Sequence, residues 1–252
     1  MDEKAQAARL EPAEVVEYRF GKQGYQDVAR YDQVRYSGPA NEYKQAVMRR
    51  AYRRLIGELS GKRVLDVGCG PGRGVVDFAQ QAAFAVGSDA SQDMLSVAQA
   101  KAGGQLPCGF AAAHAQNLPF RDKSFDVITA LNFLHLFRLE TQRAMIAEMK
   151  RVVKPGGILV LEFDNALNGL GLGLYKRWKR IERGSLPGEI QSVIGNDCRV
   201  VKVYGAVIPV AWRLFYRFPK LFGPLERITY LPLLNRLAHR VYYKMQVRQS
   251  GS

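Results

Sequence analysis

Glycine stands at positions 68, 70 and 72 of the run Val64-Leu-Asp-Val-Gly-Cys-Gly-Pro-Gly-Arg73, directly after a short apolar stretch that carries one acid, Asp66. A buried strand ending in such a run must turn sharply into a helix. Glycine lets the backbone bend there and lets a ligand approach with no Cβ in the way. Amides opening the next helix then face that ligand with partial positive charge. Asp66 is expected to orient the loop by bonding its amides. The dinucleotide fingerprint needs its third glycine where this chain has Arg73, so a nicotinamide site is a poor match. Asp89 lies 21 residues after Gly68 at the end of the next apolar run. A carboxylate there accepts both hydroxyl hydrogens of a ribose, which is nucleoside chemistry. His114-Ala115-Gln116 follows a third strand, where a backbone amide and a side chain meet an adenine edge. Ala130-Leu131-Asn132 closes a fourth strand beside the glycine turn.

These residues converge only if strands and helices alternate. Val47, Ala51, Leu55 and Ile56 fall at helical spacing and predict a helix over 41–59, ended by Gly61. Strands are expected at Val64–Val67, Phe84–Gly87, Phe110–Ala113, Phe125–Ala130 and Ile158–Phe163, the last after Pro155-Gly156-Gly157. Helices are expected over 75–83, over 91–101 with Ser91 as N-cap, and over 140–153. Strands that read as continuous apolar runs between helices predict an α/β, doubly wound, mostly parallel sheet covered on both faces. Beyond it, Leu174, Trp178 and Ile181 mark one side of a helix, and strands are expected at Val200–Tyr204 and Val241–Met245.

The bulk numbers agree with one domain. The chain has 252 residues, of which 47% are hydrophobic. Its cysteines (Cys69, Cys108, Cys198) and histidines (His114, His135, His239) form no CxxC or HxxxH pair, so neither a zinc site nor a disulfide framework is expected. A reduced, cytoplasmic setting follows. The polar, acidic start Met1-Asp-Glu-Lys is not an ordinary signal peptide, and no apolar run is long enough to span a bilayer. Net charge is +14, divided as +5 over residues 1–154 and +9 over residues 155–252. A basic C-terminal third fits an anionic partner or a solvated face.

The glycine run, Val86-Gly-Ser-Asp-Ala-Ser-Gln-Asp-Met-Leu95, Asn117-Leu-Pro-Phe-Arg-Asp-Lys-Ser-Phe-Asp-Val127 and Lys154-Pro-Gly-Gly157 occur in one order over residues 60–165. Together they resemble class I methyltransferases of the type 11 group, which use S-adenosyl-L-methionine (SAM) and release S-adenosyl-L-homocysteine (SAH). The resemblance implies a seven-stranded class I fold and a SAM site built from Asp66, Gly68, Cys69, Gly70, Gly72, Asp89, Ala90, Met94, His114, Ala115, Gln116, Leu131 and Asn132, with no metal. The family has an acid where this chain has His114, which passes the adenine contact to Ala115 and Gln116. An activated methyl needs mainly alignment and exclusion of water, with a base only where the acceptor must lose a proton. His135, just past strand four, is the best-placed candidate for that catalytic role. The implied organisation is an N-terminal helical cap (1–60, including Tyr18, Tyr25, Tyr31 and Tyr36), a SAM-binding half (61–165) and a substrate-side half (166–252).

The last of these contains an insert, about 209–239, in which Trp212, Phe215, Tyr216, Phe218, Phe222 and Tyr230 are interleaved with Arg213, Arg217, Lys220, Arg227 and Arg236. Such a segment serves either as a lid over the acceptor or as a contact with an anionic bilayer surface. The expected partner is therefore a small-molecule or lipid-like acceptor, with a peripheral position on the inner membrane surface. An RNA or protein methyltransferase would also use the basic charge, but the Asn/Asp-Pro-Pro-Tyr/Phe signature is absent after strand four, where the chain reads Leu131-Asn-Phe-Leu134. A non-catalytic SAM-binding subunit is the third reading. The oligomeric state is not legible.

Overall fold

Alternating apolar and amphipathic stretches produce a sheet with helices on both faces. The computed structural model describes residues 28–165, 185–206, 218, 238 and 240–248. A 3-10 turn at Val28–Arg30 leads into α1 (Tyr31–Tyr36), and Ser37-Gly38 separates it from α2 (Pro39–Ile56). There follow β1 (Arg63–Val67), α3 (Arg73–Ala79), β2 (Phe84–Asp89), α4 (Gln92–Ala102), β3 (Cys108–Ala112) and β4 (Phe125–Ala130). A 3-10 turn at Leu134–Leu136, α5 (Leu139–Val152), β5 (Val153–Asp164), α6 (Pro187–Ile194), β6 (Cys198–Ala206) and β7 (Arg240–Val247) complete the described elements. Tyr18 and Tyr25, the stretch with Leu174, Trp178 and Ile181, and the insert apart from Phe218 and Ala238 lie outside them.

The seven strands lie in the order β3-β2-β1-β4-β5-β7-β6. β7 is antiparallel to both of its neighbours, and all other adjacent pairs are parallel. The chain winds outward from β1 through β2 to β3, then returns to β4 on the other side of β1. That reversal opens a crevice at the carboxyl ends of β1 and β4, the place where such sheets take their ligands. Register brings the needed residues level: Asp66 lies opposite Gly87 and Thr129, Val67 opposite Ser88, and Asp89 opposite Ala112.

Alternate residues of each strand point to opposite faces. Leu65, Ile128 and Leu159 meet Met145, Ile146 and Met149 of α5 and Ile190, Val193 and Ile194 of α6 in one buried layer. Val64, Val127 and Val160 meet Val47, Ala51 and Leu55 of α2 and Val75 and Phe78 of α3 in the other. With helices on both faces, every central strand is buried on two sides, which explains their largely apolar character.

Several boundaries differ from the sequence reading. α2 stops at Ile56, because Gly57 adopts φ 79° and its N–H reaches Arg53 O at 3.0 Å. β2 runs on through Ser88 to Asp89. β5 starts at Val153, and Lys154-Pro-Gly-Gly157 is an irregularity inside it, where pairing jumps from Phe125–Val153 to Val127–Ile158. α6 was not expected. Pro187 opens it, and the Glu189 carboxylate accepts the Leu186 N–H at 2.8 Å, so local capping makes a helix of a short, glycine-containing segment.

The loop entering β4 is held by one side chain. Arg151 of α5 donates to Phe120 O at 2.9 Å, to Leu118 O at 3.0 Å and to Glu148 Oε1 at 2.6 Å, while Glu148 accepts the Leu118 N–H at 2.8 Å. Arg151→Met is expected to lower stability by about 1–3 kcal/mol in urea unfolding. Asp122→Ala removes only an exposed ion pair of the same arginine and is expected to change stability by less than about 1 kcal/mol.

Candidate functional site

The turn after β1 is sewn to the end of β2. Gly68 and Cys69 both donate their N–H to Ser88 O, at 2.8 and 3.0 Å. Gly70 N–H donates to Asp89 Oδ2 at 2.8 Å, and Ser91 N–H to Asp89 Oδ1 at 2.9 Å. A carboxylate oxygen can accept more than one hydrogen bond, so Asp89 keeps acceptor capacity on both oxygens. The three glycines serve different ends. Gly70 has φ 51°, and a Cβ there would meet nothing within 4 Å, so the turn has open space in front of it. Gly68 has φ 69°, and a Cβ there would lie 2.2 Å from the Phe133 ring. Gly72 serves packing, since its Cβ would fall 2.7 Å from that of Ala98 on α4.

Two adjoining clefts share Tyr31, Gly68, Gly70 and Asn132. The first is bordered by Ser88, Asp89, Ala90 and Met94 after β2, by Ala113, His114 and Ala115 after β3, and by an apolar wall of Phe133, Leu136, Phe137 and Met145. The second is polar, with Gln45, Arg49, Tyr52, Asp66, Cys69, Arg73 and Leu131 around it. Of the residues expected at the site, Gly72 packs behind the turn instead of lining it, and Gln116 is exposed and lines neither cleft. His135 also lines neither: its Nδ1 lies 3.1 Å from Arg240 Nη1 on β7. The others expected there border one cleft or both.

Burial governs the electrostatics. It pushes the Asp66 carboxyl up to about 7, with the charge of Asp89 adding to it and the Thr129 hydroxyl bond opposing it. Asp66 was expected to bond the loop amides. Instead Thr129 Oγ1 donates to its Oδ1 at 2.6 Å, because Asp66 and Thr129 are register partners on β1 and β4 and the loop amides turn towards Ser88 and Asp89. Asp89 is also raised by burial, against the amides of Ser91, Gly70 and Ala90. Burial and these two carboxylates hold the Cys69 thiol protonated, so it is a packed side chain and not a nucleophile.

Carboxylate, small residues and apolar wall in the first cleft suit a purine nucleoside. The second cleft suits a free amino acid, with Arg49 and Arg73 for its carboxylate and Asp66 for its ammonium. Ser88 Oγ, buried at the wall without a hydrogen-bond partner, offers a further polar contact. A nucleoside joined to an amino acid is the outline of SAM, and the residues present fit it.

The chain has the class I methyltransferase fold. Residues 64–157 match the family model described as a methyltransferase domain. Demethylmenaquinone methyltransferases are among the relatives. That of Deinococcus radiodurans is 42% identical over 115 residues, which are 44% of this chain and 47% of the relative. That of Mycobacterium tuberculosis is 35% identical over 131 residues, 52% of this chain and 53% of the relative. The chain spans about half the length of the curated relatives it matches. Among solved structures, magnesium protoporphyrin IX methyltransferase of Synechocystis with SAH bound superposes with TM-score 0.66 at 20% identity, covering 95% of this chain and all of that one. The [4+2]-cyclase SpnF superposes with TM-score 0.57 at 20% identity, over 81% of this chain and 80% of that one. This second likeness shows that the fold alone does not fix the reaction.

Sequence reasoning missed the apolar wall and the polar residues from α2. Phe133 and Phe137 fall between the strand expected to end at Ala130 and the helix expected over 140–153, Met145 falls inside that helix, and none of them was given a role. Gln45 and Arg49 carried no signal, because their place depends on how α2 crosses the sheet.

The raised carboxyls have a defined effect on stability. An unfolded aspartate loses its proton near about pH 3.9, whereas Asp66 in the fold holds its proton to about 7. The folded chain binds more protons across that window, so stability falls as pH rises from about 4 to 7 and levels off above. Asp66→Asn is expected to flatten this part of the profile, as read from urea midpoints at about pH 5 and about pH 7.5. Asp89→Asn is expected to weaken SAH binding by about 1–3 kcal/mol in calorimetry, through lost charged hydrogen bonds.

Proposed function

We propose that this chain is an enzyme that transfers the methyl group of SAM to a small, lipid-like acceptor of the quinol type. The observation that carries the methyl-donor half is the pairing of Asp89 with the open space before Gly70, next to a cleft holding both Asp66 and the arginines Arg49 and Arg73. Asp89, Ala90, Met94 and Ala115 would hold the adenosine, and Asp66, Arg49, Arg73 and Asn132 the amino-acid portion. When bound, the cofactor supplies a methyl group already activated on a sulfonium sulfur. The protein's own part is then alignment and the exclusion of water. Tyr31 borders both clefts and is 8% exposed, so it shields them from one side. Phe133 and Phe137, edge to face at 5.0 Å, wall off another.

Three observations support the acceptor. The relatives over the matched half are named for demethylmenaquinone, a naphthoquinone with an isoprenoid tail. The C-terminal third carries an excess of nine positive charges, and its insert interleaves aromatic and basic residues. No helix among the described residues is long and apolar enough to cross a membrane. Residues 1–60 would act as the cap, 61–165 as the SAM-binding half and 166–252 as the acceptor half.

Incubation with methyl-labelled SAM and dithionite-reduced demethylmenaquinone is expected to give a labelled, lipid-extractable product identifiable by mass. Transfer to tRNA in its place would favour the nucleic-acid reading. Sedimentation with vesicles of anionic lipid at low salt is expected to carry the chain down. Loss of that binding with neutral lipid confirms charge as the cause, and no binding to either discards the membrane surface.

A further inference from the structure

Outside the two clefts, buried charge concentrates at the β5–β7 corner of the same carboxyl edge. Arg240, the first residue of β7, pairs with both carboxylates of β5: its Nη1 is 3.0 Å from Glu162 Oε1 and in direct contact with Asp164 Oδ1. Glu162 is fully buried, and the Tyr242 hydroxyl and the Asn132 amide face it. The same Nη1 lies 3.1 Å from His135 Nδ1.

Two features set this cluster apart from an ordinary ion pair. Asn132 adopts φ 54°, a left-handed conformation that costs energy for any residue but glycine, and its side chain borders both clefts. The buried Glu162 carboxylate faces its amide. His135 follows three residues later in the same loop, and it too is anchored on the cluster. A guanidinium carries only donors and does not lose its proton, so the ring nitrogen facing it must be the one with the lone pair. The proton of a neutral His135 then sits on Nε2.

We propose that Arg240 is a positioning residue that locks His135 as the Nε2–H tautomer, making it a hydrogen-bond donor and not a base. It serves an acceptor that enters with a negatively charged oxygen beside the atom to be methylated. This deepens, and rests on, the methyltransferase reading above. With Nδ1 committed to Arg240, His135 has no lone pair on Nε2 with which to take a proton from an acceptor. It can only donate there, which suits a hydroquinone anion or an enolate and does not suit a neutral amine that must be deprotonated. The sequence reading of His135 as a base is replaced by this one. Arg240 directly follows the insert in the chain, so the cluster sits where the acceptor half returns to the sheet.

The test uses the full chain labelled with nitrogen-15 at histidine. There are three histidines, so His135→Gln assigns the signal. In the native protein at neutral pH, the ring shifts are expected to place the proton on Nε2. Arg240→Met should release a mixture of tautomers while Glu162 takes up a proton, and Arg240→Lys, also a pure donor, should preserve the native pattern. SAH affinity should be unchanged in the His135 variants, because His135 borders neither cleft. With reduced demethylmenaquinone, His135→Gln, which keeps an N–H donor, should lose less turnover than His135→Ala, which is expected to fall by about tenfold or more. A proton on Nδ1 in the native protein overturns the proposal, as does a native spectrum in Arg240→Met or equal losses in the Gln and Ala variants. Should Arg240→Met fail to fold, the native spectrum still decides. Failure of SAH to bind would sink the methyltransferase reading and leave the tautomer result standing.

Discussion

The site depends on one carboxylate held between two turns. Asp89 ends β2 and accepts the Gly70 amide on one oxygen and the Ser91 amide on the other. The first bond fixes the loop after β1, and the second fixes the entry to α4, where Ser91 also caps the helix by accepting the Met94 N–H at 3.3 Å. Two loops from adjacent parallel strands thus share one anchor. Their common geometry follows from sheet register and not from loop sequence alone. The same carboxylate faces the first cleft, so under the proposed function the group that builds the site would also contact the ribose. The amides it accepts offset part of its desolvation, and burial still leaves its carboxyl raised.

The helix α1 is attached by the same economy of charges. Asp32 of α1 pairs with Lys101 of α4 at 2.6 Å, and Lys101 also donates to Pro71 O of the glycine turn at 2.8 Å. The Arg73 guanidinium lies 4.2 Å from the centre of the Tyr36 ring. These contacts tie a short helix, which would not persist alone, to the turn it covers, and they place Tyr31 over both clefts. Polar capping on one side and an aromatic wall on the other leave a site that is apolar where a purine fits and charged where an amino acid fits.

Much of this was legible in the sequence, for a physical reason. Central parallel strands are buried on two faces, so Val64–Val67 and Phe125–Ala130 had to be mostly apolar, with Asp66, Asp126 and Thr129 as the polar exceptions, and the alternating glycines at 68, 70 and 72 admit few conformations. Asp89 and Ala115 were expected at the ends of the second and third strands, and Ala90 and Met94 through the family resemblance. What escaped was set by tertiary packing. The partner of Asp66 is Thr129, 63 residues away, and only the β1–β4 register brings them together. His135 looked like a base because a lone histidine past a strand has the right chemistry. Its Nδ1 is engaged by Arg240, 105 residues later, on a strand whose antiparallel placement no local pattern encodes. Gln116 sits next to the right residue but points to solvent.

A crystal structure of the chain grown with SAH tests the central claim most directly. The ribose hydroxyls should lie within hydrogen-bond distance of both Asp89 oxygens, with the purine against Ala115 and Leu136 and the amino acid in the cleft of Asp66 and Arg49. Density for SAH elsewhere, or a ribose turned away from Asp89, would contradict the account.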